Sequence, residues 1–130
     1  MSNLNSSGDS LDDVLDTKLF NDLRHRMVSP PDALDTIYRR FFGNAGKHID
    51  TLRDQESAAR RHTLHALKGS AAILGAKRLA ALSARLHDED LHSPAMLAQA
   101  IEELETELES FRRVIAAHVT LDPPNRFEPV

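Results

Sequence analysis

Apolar residues recur every three or four positions along most of this chain, which is the spacing of one buried face of an α-helix. No stretch of four or more residues alternates polar and apolar side chains as a half-buried strand does. The spacing therefore predicts an all-α fold, an antiparallel four-helix bundle with an additional N-terminal helix. The clearest apolar run lies near the C-terminus and consists of Leu97, Ile101, Leu104, Leu108, Phe111 and Ile115.

Residues that favour helix starts separate the apolar runs. Asp16 is predicted to cap the first long helix, with Leu15 and Phe20 forming a hydrophobic staple around it. Ser29 and Ser93 each precede a proline, and a serine cap followed by proline at the first helical position suits a helix N-terminus. We therefore expect a new helix to begin directly after each serine.

Three of the glycines indicate where a predicted helix bends, packs closely or ends. Gly43 and Gly46 interrupt the apolar run between Leu34 and Leu52, so we expect either a bend there or close packing against a neighbouring helix. Gly75 follows a histidine-containing helical stretch and is predicted to end it.

Length and composition narrow the class of protein. The 130 residues suit one domain, for which we predict a flexible lead over 1–10, a helical bundle over 11–120 and a tail over 121–130. Cysteine is absent, which excludes disulfides and thiolate metal sites, and the net charge of -4 gives no basic footprint for nucleic acid. The polar first residues lack the basic and apolar regions of a signal peptide, and no apolar run reaches about 18 residues, so we expect neither a signal peptide nor a membrane span. We expect a soluble cytoplasmic monomer without a nucleic-acid or membrane partner.

The stretch from His62 to Gly75 carries the most chemical information. On a helical wheel its leucines fill one half, while a second set of side chains lies within about 60° of His65 on the open half. The neutral imidazole of histidine is a nucleophile near pH 7 and forms covalent intermediates. Lysine one turn later attracts an anion held on that ring. The residues sharing the open half with His65 are Arg61, His62, Lys68, Gly69 and Ala72.

Glycine in a helix interior costs about 0.8–1 kcal/mol relative to alanine, so Gly69 requires a reason. A missing side chain beside a reactive group allows a macromolecule to approach the ring. With these residues the stretch resembles the histidine-containing phosphotransfer (HPt) domain of bacterial multistep phosphorelays. The matching residues are His65-Ala66-Leu67-Lys68-Gly69-Ser70-Ala71 and Gly75-Ala76, and the departure is Leu64, where the family usually has alanine.

This resemblance implies an all-helical bundle and a function. His65 would accept the phosphoryl group, Lys68 would stabilise its charge, and Arg61, His62, Gly69 and Ala72 would form the face that docks receiver domains. The partners implied are the receivers of a hybrid sensor kinase and of a response regulator, which would supply the magnesium ion. No cofactor is expected on this chain.

The same residues have alternative interpretations. The chain is either a phosphorelay intermediate or a helical interaction protein that docks a receiver without phosphoryl turnover. His62 and His65 at a three-residue spacing also leave a zinc-binding bundle open, although no carboxylate shares their face. A basic rim for an acidic partner is expected from Arg60, Arg61, Lys77, Arg78 and Arg85.

A kinase activity is not predicted. Gly43 and Gly46 do not form a phosphate-binding loop because the lysine and hydroxyl residue that should follow are absent. The chain is therefore expected not to be an enzyme that makes its own phosphohistidine from ATP.

Overall fold

The computed structural model describes residues 11–89 and 91–121. Within these segments the chain is all-α and contains no strand, as the apolar spacing predicts. The predicted lead over 1–10 and the predicted tail beyond residue 121 lie outside the described residues. The elements are α1 (Leu11–Val14), α2 (Thr17–Arg26), α3 (Ala33–Thr51), a 3₁₀ turn (Leu52–Asp54), α4 (Ser57–Ile73), α5 (Lys77–Asp88) and α6 (Pro94–Ala116).

The four longest helices pack around one hydrophobic core. Helix α4 packs most extensively against α5 and also contacts α3, while α6 packs against both α3 and α5. The order around the bundle is therefore α3, α4, α5 and α6, with α6 diagonal to α4. Among the most deeply buried side chains are Tyr38, Leu52, Leu64, Leu67, Leu104, Phe111 and Ile115.

The N-terminal helix α2 closes one end of this bundle. The Asp16 side chain accepts a hydrogen bond of 3.1 Å from the backbone N–H of Leu19, which confirms the predicted cap. Phe20 is buried, and its ring lies 5.9 Å from the Tyr38 ring and 5.3 Å from the His118 ring. Leu15 is also buried, so both residues of the predicted staple belong to the core.

One of the two predicted serine caps is confirmed and the other is wrong. The Ser93 hydroxyl accepts a hydrogen bond of 3.0 Å from the Met96 backbone N–H, and α6 begins at the following proline. Helix α3 begins only at Ala33, after Asp32, so Ser29 does not cap it. The Pro30 carbonyl accepts a hydrogen bond of 2.9 Å from the Ala33 N–H, and this separate turn precedes the helix.

The glycines in α3 do not interrupt it. The helix is continuous from Ala33 to Thr51, and a Cβ atom added at Gly43 or Gly46 would meet no neighbouring atom within 4 Å. Of the two expected alternatives, close packing against a neighbouring helix is therefore wrong at both positions. The apolar face of α3 packs well enough elsewhere to hold two poor helix formers.

Gly75 ends α4 as predicted and joins the helical hairpin to the N-terminal segment. Its φ of +85° lies in the left-handed region that glycine adopts readily. The Gly75 carbonyl accepts a hydrogen bond of 2.8 Å from the Asp16 N–H, and the Tyr38 hydroxyl donates to the Leu74 carbonyl at 2.8 Å. The α4–α5 hairpin is thereby anchored at one end. No helix in the described segments is long and apolar enough to cross a membrane.

Candidate functional site

Helix α4 separates its residues onto two faces in the way the helical wheel predicts. Leu64, Leu67 and Ala71 are buried, whereas the His65 side chain is exposed on the outer face. Leu64, the departure from the usual family pattern, is 1% exposed and contributes to the core. The substitution therefore leaves the surroundings of His65 open.

One helical turn beyond His65 the outer face remains open. Lys68 is exposed, and it forms no ion pair with the part of the chain that the structure describes. Gly69 is exposed too, and a Cβ atom there would meet nothing within 4 Å, so no packing in residues 11–89 and 91–121 requires a glycine. Ser70 is half-buried and its hydroxyl donates to the Leu67 carbonyl at 3.3 Å. Its contact is with the helix backbone.

The structure places a further histidine beside His65. The ring centroids of His65 and His87 are 6.0 Å apart, with an angle of 52° between the ring planes. His87 lies on α5, and its Nδ1 is 3.1 Å from the Asp88 carboxylate. A shallow groove of about 340 Å³ lies between the two helices and is lined by Ala58, Arg61, His62, His65 and His87.

His87 is not among the predicted site residues; it follows the buried Leu86 near the end of α5. A signal was available in the chain. His65 and His87 lie at similar distances on either side of Gly75, and in an antiparallel helical hairpin such positions come side by side. Finding the pair requires knowing that α4 and α5 form that hairpin.

The site residue Arg61 links α4 to α5. Its guanidinium donates a hydrogen bond of 2.9 Å to the His87 carbonyl near the C-terminus of α5. A cation at that position interacts favourably with the carbonyl end of the helix dipole. Arg61 therefore holds the groove together and places positive charge at its edge. His62 and Ala72 are exposed on the same helix, as predicted.

The predicted basic rim does not form as a continuous surface. Arg60 donates to the carbonyls of Leu52 and Leu91 at 2.9 and 3.0 Å, and so ties loops together. Arg78 and Arg85 instead form hydrogen-bonded ion pairs with glutamates of α6 at 2.9 Å. These three guanidinium groups are used within the bundle because their helices bring carbonyls or carboxylates into reach. The expectation of a five-residue rim is wrong for them.

Histidine and carboxylate side chains do not gather into a metal site in the described part of the chain. No group of three or more such side chains is placed to hold a metal ion there. Four histidine or arginine side chains line the groove, namely Arg61, His62, His65 and His87, and Asp88 contacts His87 from the end of α5. The arrangement offers an exposed imidazole with nearby cations.

Comparison with known proteins identifies the family. A family model described as the Hpt domain matches residues 36–114, which include α4, α5 and most of α3 and α6. No curated protein and no solved structure matches the chain. The match covers more than half of the chain and contains the whole outer face around His65. The chain therefore belongs to the Hpt domain family, whose members transfer phosphoryl groups through histidine in two-component phosphorelays.

Proposed function

We propose that this chain carries a phosphoryl group on His65 between the receiver domain of a hybrid sensor kinase and that of a response regulator. The observation that carries the proposal is the surface around the ring. His65 is exposed within the family motif, Lys68 is exposed one turn away, and the space over Gly69 is open. A receiver aspartate can thus approach the imidazole without displacing any side chain of α4.

The transfer needs one nucleophilic nitrogen and no cofactor held by this chain. The lone pair of one His65 ring nitrogen forms a P–N bond as the P–O bond to the donor aspartate breaks, and the carboxylate leaves with its electron pair. The proton on the other ring nitrogen remains in place. In the second transfer, an acceptor carboxylate attacks phosphorus and the P–N bond breaks, which regenerates neutral His65.

Two cations of the chain are placed to favour the phosphorylated state. Lys68 lies one turn after His65, where its ammonium group attracts the phosphoryl oxygens. Arg61 lies one turn before His65, with its guanidinium fixed on the His87 carbonyl. The magnesium ion and most of the catalytic groups belong to the receiver in this proposal. The chain itself supplies the nucleophile, the electrostatic surroundings and the docking face, and works as an intermediate without autokinase activity.

The test compares two histidines of the same helix. His65→Gln and His62→Gln are incubated with phosphorylated receivers of the same genome, and acid-labile, base-stable label on the chain is measured. We expect His65→Gln to lose the label completely with an unchanged melting temperature, because an exposed side chain contributes little to stability. His62→Gln retains substantial label. The reverse result would place the acceptor one turn earlier.

The docking-only interpretation gives a different outcome in the same experiment. A protein that binds a receiver without turnover shows a measurable dissociation constant for the receiver but no label on the wild-type chain. Labelling by phosphoramidate, a small phosphodonor, tests the nucleophile without any docking step. Absence of label from both donors would refute phosphoryl transfer.

A further inference from the structure

Ile73 is unusually exposed for a large aliphatic residue of this chain. Its relative exposure is 69%, and it is the most exposed of the large hydrophobic side chains in residues 11–89 and 91–121. It occupies the last position of α4, and it belongs neither to the core nor to the apolar residues packed against the core. Packing among the described residues therefore gives no reason for an isoleucine there.

The position of Ile73 on α4 relates it to the proposed phosphoryl acceptor. His65, Gly69 and Ile73 follow one another at intervals of four residues, so they form one row along the helix surface. Gly69 leaves a gap in this row between the imidazole and the isoleucine. Ala66 and Ala72 beside the row are also exposed. The row from the ring to Ile73 is thus bordered by small side chains, with the exposed Lys68 on its other side.

Distance along the helix brings Ile73 within any interface centred on His65. Eight residues at about 1.5 Å each separate the two by about 12 Å. An interface of standard size buries about 800 Å² on each partner, equivalent to a disc with a radius of about 16 Å. An interface of that size centred on the His65 ring therefore includes Ile73.

We propose that Ile73 is the apolar anchor by which this chain binds its receiver domains. This inference rests on the proposed phosphoryl transfer through His65. The partner is a receiver with an apolar patch beside its phosphorylated aspartate, because burial of an exposed isoleucine favours association. The open space over Gly69 then has a second role. It accommodates the part of the receiver that lies between the aspartate and this patch.

Charge on the other side of His65 fixes the orientation of the partner. Arg61 and Lys68 lie on the opposite side of the ring from Ile73 when α4 is viewed down its axis. The acidic cluster of a receiver fits against these cations, and its apolar patch then faces the Gly75 end of the hairpin. Because one edge is basic and the other is apolar, a receiver can bind along α4 in only one of two opposite orientations.

A second copy of the chain is a poorer occupant of this surface. Permanent homodimers bury large and strongly apolar interfaces, on the order of 2,000 Å² or more. The row offers one large aliphatic side chain among glycine and alanines, with basic residues along one edge. Two copies placed face to face would also bring Lys68 and Arg61 toward their own equivalents.

The experiment uses Ile73→Glu and Ile73→Ala with Met96→Glu as the matched control. Met96 is also an exposed large hydrophobic residue, at 42%, but it lies on α6, which is diagonal to α4. The kcat/KM for transfer from a phosphorylated receiver is expected to fall at least about ten-fold in Ile73→Glu, equivalent to about 1.4 kcal/mol, and less in Ile73→Ala. Met96→Glu keeps the parental value, and Ile73→Leu restores most of the transfer.

Labelling with phosphoramidate separates this inference from the proposed function. We expect Ile73→Glu to be labelled on His65 at the parental rate, because the small donor needs no docking surface. Transfer at the parental kcat/KM in Ile73→Glu, or an equal loss in Met96→Glu, would overturn the anchor. Loss of phosphoramidate labelling would overturn it too, since the substitution would then act on His65 itself.

Two further outcomes are distinguishable. If the wild-type chain takes no label at His65, the proposed function fails, and the anchor fails with it only if the receiver dissociation constant is also unchanged in Ile73→Glu. If sedimentation equilibrium shows a wild-type dimer that Ile73→Glu converts to a monomer, the surface joins two copies of this chain and the proposal is overturned.

Discussion

Replacement of Gly69 by leucine is expected to raise stability and impair transfer at the same time. A side chain at Gly69 would enter open space, because a Cβ atom there meets nothing within 4 Å. Leucine is a better helix former than glycine by about 0.5–1 kcal/mol. For a chain of this size that gain corresponds to an increase in melting temperature of about 2–5 °C. No buried contact is lost to offset it.

The same side chain stands between the imidazole and the approaching receiver. Transfer requires the phosphorus atom to come within about 3–3.5 Å of the ring nitrogen, with the aspartate oxygen on the opposite side of phosphorus and in line with it. A leucine one turn from His65 fills the gap through which the receiver makes that approach. We expect kcat/KM for transfer to fall by at least about one hundred-fold, equivalent to about 2.7 kcal/mol. Phosphoramidate still labels His65.

Gly43 offers the matched control for this experiment. It is an exposed glycine inside α3, and a Cβ atom there also meets nothing within 4 Å. Gly43→Leu is therefore expected to gain similar stability and to transfer at the parental rate. Thermal unfolding and a rapid-quench transfer assay measure the two properties. Parental transfer by Gly69→Leu would refute the access argument, and a lower melting temperature would show that position 69 packs against another helix.

The remaining predictions concern the charge near the phosphate and two structural contacts. Lys68→Ala is expected to shorten the phosphohistidine lifetime by less than about five-fold, because an exposed charge pair contributes below about 1 kcal/mol; a complete loss of the label, measured after quenching in base because phosphohistidine is acid-labile, would contradict this. Tyr38→Phe removes the hydrogen bond to the Leu74 carbonyl and should cost about 1–2 kcal/mol in urea unfolding. Burial raises the pKa of Tyr38, so its contribution is complete below about pH 10 and is lost as pH rises toward the folded value, and the wild type should lose stability more steeply than Tyr38→Phe in alkaline unfolding. Gly75→Ala should cost about 1–2 kcal/mol, since φ is +85° and the new Cβ would lie 3.2 Å from a Leu15 methyl group; an unchanged melting temperature would contradict that strain.

The placement of His65 and the placement of His87 illustrate two different sources of information. His65 was predictable because its exposure follows from helical periodicity alone: the leucines of α4 are buried, and the positions between them face outward. His87 was not, because its proximity to His65 depends on how α5 folds back along α4. Periodicity within one helix contains no information about the rotation of the next helix against it.

The ion pairs of the arginines were also not predictable from the sequence. A charged residue in the sequence predicts exposure but not a partner. Arg78 and Arg85 lie beside the glutamates of α6, and Arg60 lies beside two loop carbonyls, only because α4, α5 and α6 pack in this arrangement. Arg60, Arg78 and Arg85 therefore do not form the expected basic rim, whereas Arg61 lies at the groove and donates to the His87 carbonyl.

By itself, the sequence determined the helical class, the face of α4 that is buried, the caps at Asp16 and Ser93 and the turn at Gly75, because each depends on contacts within a few residues along the chain. Only the tertiary structure decided which helices pack against α4 and which parts of its surface stay open. The pairing of α4 with α5, the open space over Gly69 and the exposure of the last residue of α4 depend on helix packing, which is fixed by contacts between distant parts of the chain.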